Sequence, residues 1–269
     1  MGPHTSATRR RNRCWYRTGG MRLHSVPAFW RLLEGRRPIK WRSGLRRWTG
    51  DGDSGRLADS WYRYEHWLSS ASDLLHAELV GPAAEVEIAD CERSVKQSLP
   101  DELRALWSVC GGQTTIDEGV GVLPGFDFLG PAQTAREWQV WEDVRLRAAP
   151  HEFAVFSESA RSVPEGSILH TYSSPGWIPV WREEMAANYI GIDMTPGPSG
   201  NAGQVITFGR DQEVKIVLSV SLGALMEFVV AEAGRVEVVN EADGVFLKHA
   251  EGSFLEFLKE QALRTGPLT

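Results

Sequence analysis

The sequence predicts an α+β fold: a largely antiparallel sheet with helices packed against it in a single domain. Three observations carry this. Amphipathic helical segments cluster before residue 112, a run of short strand-like segments follows, and no βαβ alternation is present.

Taken in order, the first helical period begins at Ser60, where Trp61, Tyr64, Leu68, Ala71 and Leu75 fall on one face and the helix ends before Gly81-Pro82. A second helix, Val86 to Gln97, offers Ile88, Cys91 and Val95, with Glu85 and Glu87 near the positive end of its dipole. Pro100 opens a third, in which Leu103, Leu106, Trp107 and Cys110 share a face and Gly111 ends it. Short apolar pieces at Thr114–Ile116, Gly121–Leu123 and Phe126–Leu129 read as strands separated by Gly and Pro. A helix over Ala132–Arg147 places Ala135, Trp138, Trp141 and Val144 inward, and Phe153–Phe156 and Ile168–Tyr172 read as further strand.

The densest signal runs from Gly176 to Asp211, with strands at Trp177–Trp181, Asn188–Met194 and Gln204–Phe208. In the middle one Ile190, Ile192 and Met194 alternate with Tyr189, Gly191 and Asp193, the pattern of a strand with one face in the core. Between the second and third strands TPGPSGNAG is rich in residues that fix or free φ, so a shaped loop is expected there. A turn at Gly209–Asp211 leads to a strand carrying Val214, Ile216 and Leu218. Ser221 then starts a helix with Leu222, Leu225, Met226 and Val229 inward, stopped by Gly234. A hairpin, Val236–Val239 with Phe246–Lys248, and a helix over Phe254–Leu263 complete the chain.

Trp177 and Pro179, Asn188 and Tyr189, Asp193, and the run Gly200, Gly203, Gln204 and Val205, preceded by Leu99-Pro100-Asp101-Glu102-Leu103, Trp107 and Gly112, resemble the motifs of the SUKH superfamily (Smi/Knr-type domains). The resemblance covers roughly residues 60 to 235. It implies the same α+β architecture, and a protein-binding function: bacterial members are mostly immunity proteins against secreted toxins, and fungal members regulate cell-wall assembly.

Composition narrows the function classes. Residues 1–50 hold 13 of the 29 Lys and Arg but one of the 35 acids, Glu34, which leaves +12 there and −18 on the remainder. A body this negative repels nucleic acid and lipid headgroups and attracts basic proteins. The expected division is a basic arm over 1–56, a SUKH-like domain over 57–235 and a C-terminal hairpin and helix over 236–269 packed on it. The arm reads either as a disordered nucleic-acid-binding segment or as translation upstream of the true start. Three cysteines without CxxC pairing argue for a reducing compartment. No run reaches the ~18 apolar residues of a bilayer crossing, and no apolar signal core follows the Arg-rich start, so a cytoplasmic location is expected.

Nothing in the sequence points to catalysis. The seven histidines lack metal-pair spacing, and nucleophile elbows, Walker loops and dinucleotide fingerprints are missing, so no cofactor and no metal is expected. Gly197–Gly203 reads as an anion cradle only weakly, since it opens a strand and has no Lys. Asp193 with His170 or His151 would orient a nucleophile, but a strand-end Asp beside a Gly/Pro loop more often caps backbone N–H groups. Trp177 and Trp181 read as core or groove lining. The leading expectation is an immunity-type protein that neutralises a basic toxin domain such as a nuclease, the alternative a cytoplasmic regulatory adaptor of cell-wall assembly or signalling, and the third reading a hydrolase. Partner contacts are expected at Glu183 and Glu184 in one turn and Asp211 and Glu213 in the next, around Tyr172.

Overall fold

A computed structural model describes residues 53–116, 118–184, 187–241 and 244–269. The basic arm lies outside the described residues except for its last few positions, which belong to a helix. That helix, α1 (Asp53–Ala71), starts earlier than the periodicity indicates, and Leu57 and Ala58 are already buried in it. The expected single helix is two. Ser72 accepts a hydrogen bond from the Leu75 N–H at 3.3 Å and so begins α2 (Asp73–Glu78) with its own N-cap.

α3 (Glu85–Val95) buries the three residues expected of it, and Glu87 reaches back to the Ala84 N–H at 2.7 Å. α4 (Asp101–Val109) follows Pro100, which supplies a fixed φ of −61° at the N-cap. Its Trp107 indole donates to the Leu129 carbonyl at 3.0 Å and ties the helix to the loop beyond β1 (Phe126–Phe128). Then come α5 (Pro131–Arg147), α6 (Pro150–Glu158), β2 (Arg161–Val163), β3 (Trp177–Glu183), β4 (Asn188–Asp193), β5 (Gln204–Gly209), β6 (Val214–Ser219), α7 (Leu222–Glu232), β7 (Val236–Glu241), β8 (Gly244–His249) and α8 (Phe254–Thr265).

Six strands form one sheet in the order β1-β3-β4-β5-β6-β2, antiparallel except for β2, which runs parallel to β6. β7 and β8 form a separate hairpin. α1 packs on α4 and α7, and the main core fills the space between these helices and the sheet face carrying Ile178, Val180, Ile190, Ile192, Val205 and Leu218. Tyr64 anchors the helical layer to the loop before β1, its hydroxyl donating to the Val122 carbonyl at 2.7 Å.

Several strand expectations fail, each for a local reason. Thr114–Ile116 and Gly121–Leu123 form no strand because a side chain occupies the place of a partner. The Gln113 Oε1 accepts from Phe128 N at 2.8 Å and Val122 N at 3.3 Å, while its Nε2 donates to Asp127 Oδ1 at 2.9 Å and Thr115 O at 2.6 Å. Phe153–Phe156 is helix, with Pro150 in the first turn of α6 and Glu152 accepting from the Ala149 N–H. Ile168–Tyr172 is loop. Val144, expected inward on α5, is 37% exposed.

The central strands are buried on both faces, not one, since β4 has no exposed residue. A second apolar cluster of Trp141, Ile168, Trp177, Tyr189, Ile206, Phe208 and Val217 covers the reverse side. Trp177 and Trp181 are both core but lie in different clusters. An irregularity in β3 between Pro179 and Trp181 inserts Val180 and changes the alternation. Among the described residues no helix is long and apolar enough to cross a membrane.

Candidate functional site

The end of β4 holds the most polar part of the interior. Asp193 is fully buried; its Oδ1 accepts from the Thr195 N–H and its Oδ2 from Gln204 Nε2, each at 3.0 Å. Gln204 Nε2 donates as well to the Ser167 carbonyl at 2.8 Å, and its Oε1 accepts from the Asn201 N–H. Burial raises the Asp193 pKa to about 6, against the pull of the Gln204 and Thr195 donors. Neither histidine considered with it is a hydrogen-bond partner: His170 faces Arg161 at 3.4 Å and His151 is exposed at the start of α6. The carboxylate fastens a loop.

That loop is not an anion cradle. The backbone N–H groups of Gly197, Ser199, Gly200, Asn201 and Gly203 donate to Ser167 O, Gly166 O, Gly197 O, Gln204 Oε1 and Asp193 O respectively. Their donors are already used. Gly203 has φ +94°, a conformation reserved for glycine, whereas Gly200 is required for space, since a Cβ there would lie 2.0 Å from the Ser167 oxygen.

The other motif residues are likewise structural. Leu99 and Trp107 are buried, Gly112 lies against the Gly130 backbone, and the Pro179 carbonyl accepts from the Thr134 hydroxyl at 3.0 Å. Tyr189 donates to Glu137 Oε2 at 2.7 Å, and burial raises its pKa. Lys215 escapes the sequence reading altogether. It is fully buried, its Nζ lies 5.4 Å from the Trp177 ring centre and donates to the Gln212 carbonyl at 3.0 Å, and burial lowers its pKa to about 8. As the polar position of an alternating strand it looks solvent-facing, and only the second apolar cluster makes it interior.

The residues expected to meet a partner divide in the structure. Asn188 gathers two of them: its Nδ2 donates to Glu183 Oε2 at 2.8 Å and approaches Asp211 Oδ2 at 3.5 Å, while its Oδ1 accepts from the Asp211 N–H at 2.9 Å. Arg210 bonds the Asp211 carboxylate and holds its pKa below the usual range. Tyr172 joins this end of the sheet. Burial raises its pKa, with the Asp211 charge adding to the effect, and its ring meets Trp141, Phe153 and Phe156 at 5.6, 6.3 and 5.1 Å. Phe156 is 52% exposed, so the aromatic group around Tyr172, on which the Asp211 charge acts, reaches the surface.

Glu183 is the last residue of β3, not a turn residue. Glu184 points elsewhere, accepting from the Gly121 N–H at 2.8 Å. Glu213 is exposed on the side of β2, where its carbonyl accepts from the Arg161 N–H. Asn188, read as part of a strand motif, is the junction that sequence reasoning missed.

A profile of the SMI1 / KNR4 family (SUKH-1) matches residues 82–227. The chain is 29% identical over 218 residues to "Cell wall biosynthesis/cell cycle regulator smi1" of Schizosaccharomyces pombe, covering 77% of this chain and 43% of that protein. It is 27% identical to "Cell wall assembly regulator SMI1" of Saccharomyces cerevisiae, covering 74% and 45%. To "Glucan synthesis regulatory protein" of Neurospora crassa it is 24% identical, covering 76% and 44%. The chain thus spans less than half the length of these curated relatives.

Proposed function

The chain belongs to the SMI1 / KNR4 family (SUKH-1), and from that premise we propose that it is a non-enzymatic, cytoplasmic protein-binding module, a regulatory adaptor in cell-wall assembly. The observation that carries this reading is the use to which the polar motif residues are put. Asp193, Gln204 and the glycine loop satisfy one another, and among the described residues they leave no nucleophile, base and oxyanion donors converging on a cleft. The side chains left at the surface are of the kind that binds proteins: the acids Glu183 and Asp211 beside the aromatic surface of Tyr172 and Phe156. The relatives bear the names of regulators of cell-wall and glucan synthesis, which favours the adaptor over the toxin-neutralising reading. A basic partner remains the chemistry that suits a body carrying −18.

Deleting the gene in its own organism and plating on wall-weakening agents tests this. Hypersensitivity, reversed by returning the wild-type chain, is the expected outcome. A deletion strain as resistant as its parent would remove the cell-wall role.

A further inference from the structure

The β7–β8 hairpin is fixed to the body by one face. Val236, Val238 and Val245 pack against the main core, Leu247 is part of it, and the buried His249 ring centre lies 4.4 Å from that of Phe257. The pairing from Val236↔His249 to Glu241↔Gly244 runs without a bulge. Just beyond it the Arg235 carbonyl accepts from the Ala250 N–H at 2.9 Å, so the odd-numbered residues of β7 turn their backbone groups toward β8.

Val236, Val238 and Asn240 turn theirs the other way, along an edge that pairs with no strand among the described residues. The Val236 N–H donates to the Ala233 carbonyl. The N–H groups of Val238 and Asn240, and the C=O groups of all three residues, have no hydrogen-bond partner among the described residues. Because the hairpin is anchored through its inner face, this row of donors and acceptors is held in place before anything binds to it.

Sheet edges are commonly blunted by proline, lysine or a bulge. β7, with the sequence VEVVNE, has none of these, and its only charged residues are acids. Glu237 and Glu241 stand exposed on either side of Val239, which is half-buried and paired with Phe246. Lys248 lies opposite Glu237 in register but bonds Glu241, so Glu237 has no ion pair among the described residues. A second copy of the chain would bring the same acids to this edge, on a body already carrying −18. A basic strand suits it better.

We infer that β7 is the docking edge for an extended segment of a partner protein. The segment pairs with Val238 and Asn240 as a third strand and carries two Lys or Arg flanking a β-branched residue, set against Glu237, Val239 and Glu241. Backbone pairing supplies affinity, and the alternation of acid and apolar side chains supplies register and selectivity. The inference rests on the reading of the chain as a protein-binding module, and it names a surface distinct from the aromatic face around Tyr172.

The test is to pan short random linear peptides, displayed on phage, against the full chain and to measure the selected sequences by fluorescence anisotropy. Enrichment of sequences alternating basic and β-branched residues is expected. Asn240→Pro removes an outward N–H from an exposed position, spares the β8 ladder, and should weaken binding by about tenfold or more. Glu237→Lys should lower affinity for the same peptides, and it decides the matter if the proline variant does not fold. N-methylation along a selected peptide should abolish binding at every second residue and be tolerated between, the period of a paired strand. No enrichment of such peptides, binding indifferent to both substitutions, or tolerance of N-methylation at every position would overturn the inference. So would a dimer in sedimentation that Asn240→Pro dissociates, since the edge would then belong to a second copy. None of these results bears on the gene-deletion phenotype, so the edge and the regulatory role fail separately.

Discussion

Replacing Gly200 by valine is expected to destabilise the chain by about 3 kcal/mol or more, among the largest effects of any single substitution outside the hydrophobic core. A Cβ at this position would sit 2.0 Å from the Ser167 carbonyl oxygen, and 2.9 Å from Gln204 Nε2 and from Pro196 Cβ. Accommodating it means parting the loop from the 164–168 segment, which breaks the Gly197 N–H to Ser167 bond and the Gln204 to Ser167 bond together. Each buried group left without a partner costs about 1–3 kcal/mol. Gly203→Val differs in kind, because nothing lies within 4 Å of its Cβ and only the backbone conformation at φ +94° opposes it. The strain there is about 1–3 kcal/mol. Denaturant unfolding of both variants should place Gly200→Val below Gly203→Val; the reverse order would mean that the loop is not zipped to the 164–168 segment.

Lys215→Met is expected to stabilise the chain at neutral pH by on the order of 1–3 kcal/mol, since a buried ammonium with no ion pair among the described residues, and only the Glu213 charge acting on it, is exchanged for an apolar side chain of similar length. The accompanying pH dependence separates this from a packing effect. The folded Lys215 has a pKa lowered from 10.5 to about 8, chiefly by burial. Between those values the unfolded chain holds a proton that the folded chain has released, so the lysine's penalty is fully present below about 8 and disappears as pH rises toward 10.5. Wild-type stability should therefore gain from this group as pH rises through that window, and the methionine variant should lack the gain. Asp193 acts in the opposite sense and in another window. Its pKa is raised from 3.8 to about 6, so it contributes most below 3.8 and its contribution is lost as pH rises through 6. A methionine variant less stable than wild type at neutral pH, with the alkaline slope intact, would show that the Gln212 bond and the Trp177 contact outweigh the cost of burying the charge.

Much of this was legible in the sequence, and the failures share a cause. Helices with a stripe of large apolar residues, such as Leu103, Leu106 and Trp107, declare themselves because a single buried face generates the period. β3, β4 and β5 were located by their punctuation, yet their reverse face was misjudged. Tyr189, Asp193 and Lys215 occupy polar positions of the alternation, and a single sequence gives no sign that Trp141 and Ile168, from an adjoining helix and loop, close over them. Gln113 substitutes for a strand through five side-chain hydrogen bonds, which leave no periodic trace. For the candidate surface, charge pointed to Glu183 and Asp211, but the meeting of these two acids depends on Asn188, which bonds Glu183 five residues before it and Asp211 23 residues after it.

The face formed by Asp211, Tyr172 and Phe156 is expected to carry the regulatory contact. The decisive measurement is growth of the deletion strain on wall-weakening agents when it carries a chain with Asp211→Lys and Phe156→Asp, both on exposed side chains and both outside the β7–β8 hairpin. A protein with wild-type abundance and melting temperature that fails to restore resistance is the expected result. Full restoration by this variant would contradict it.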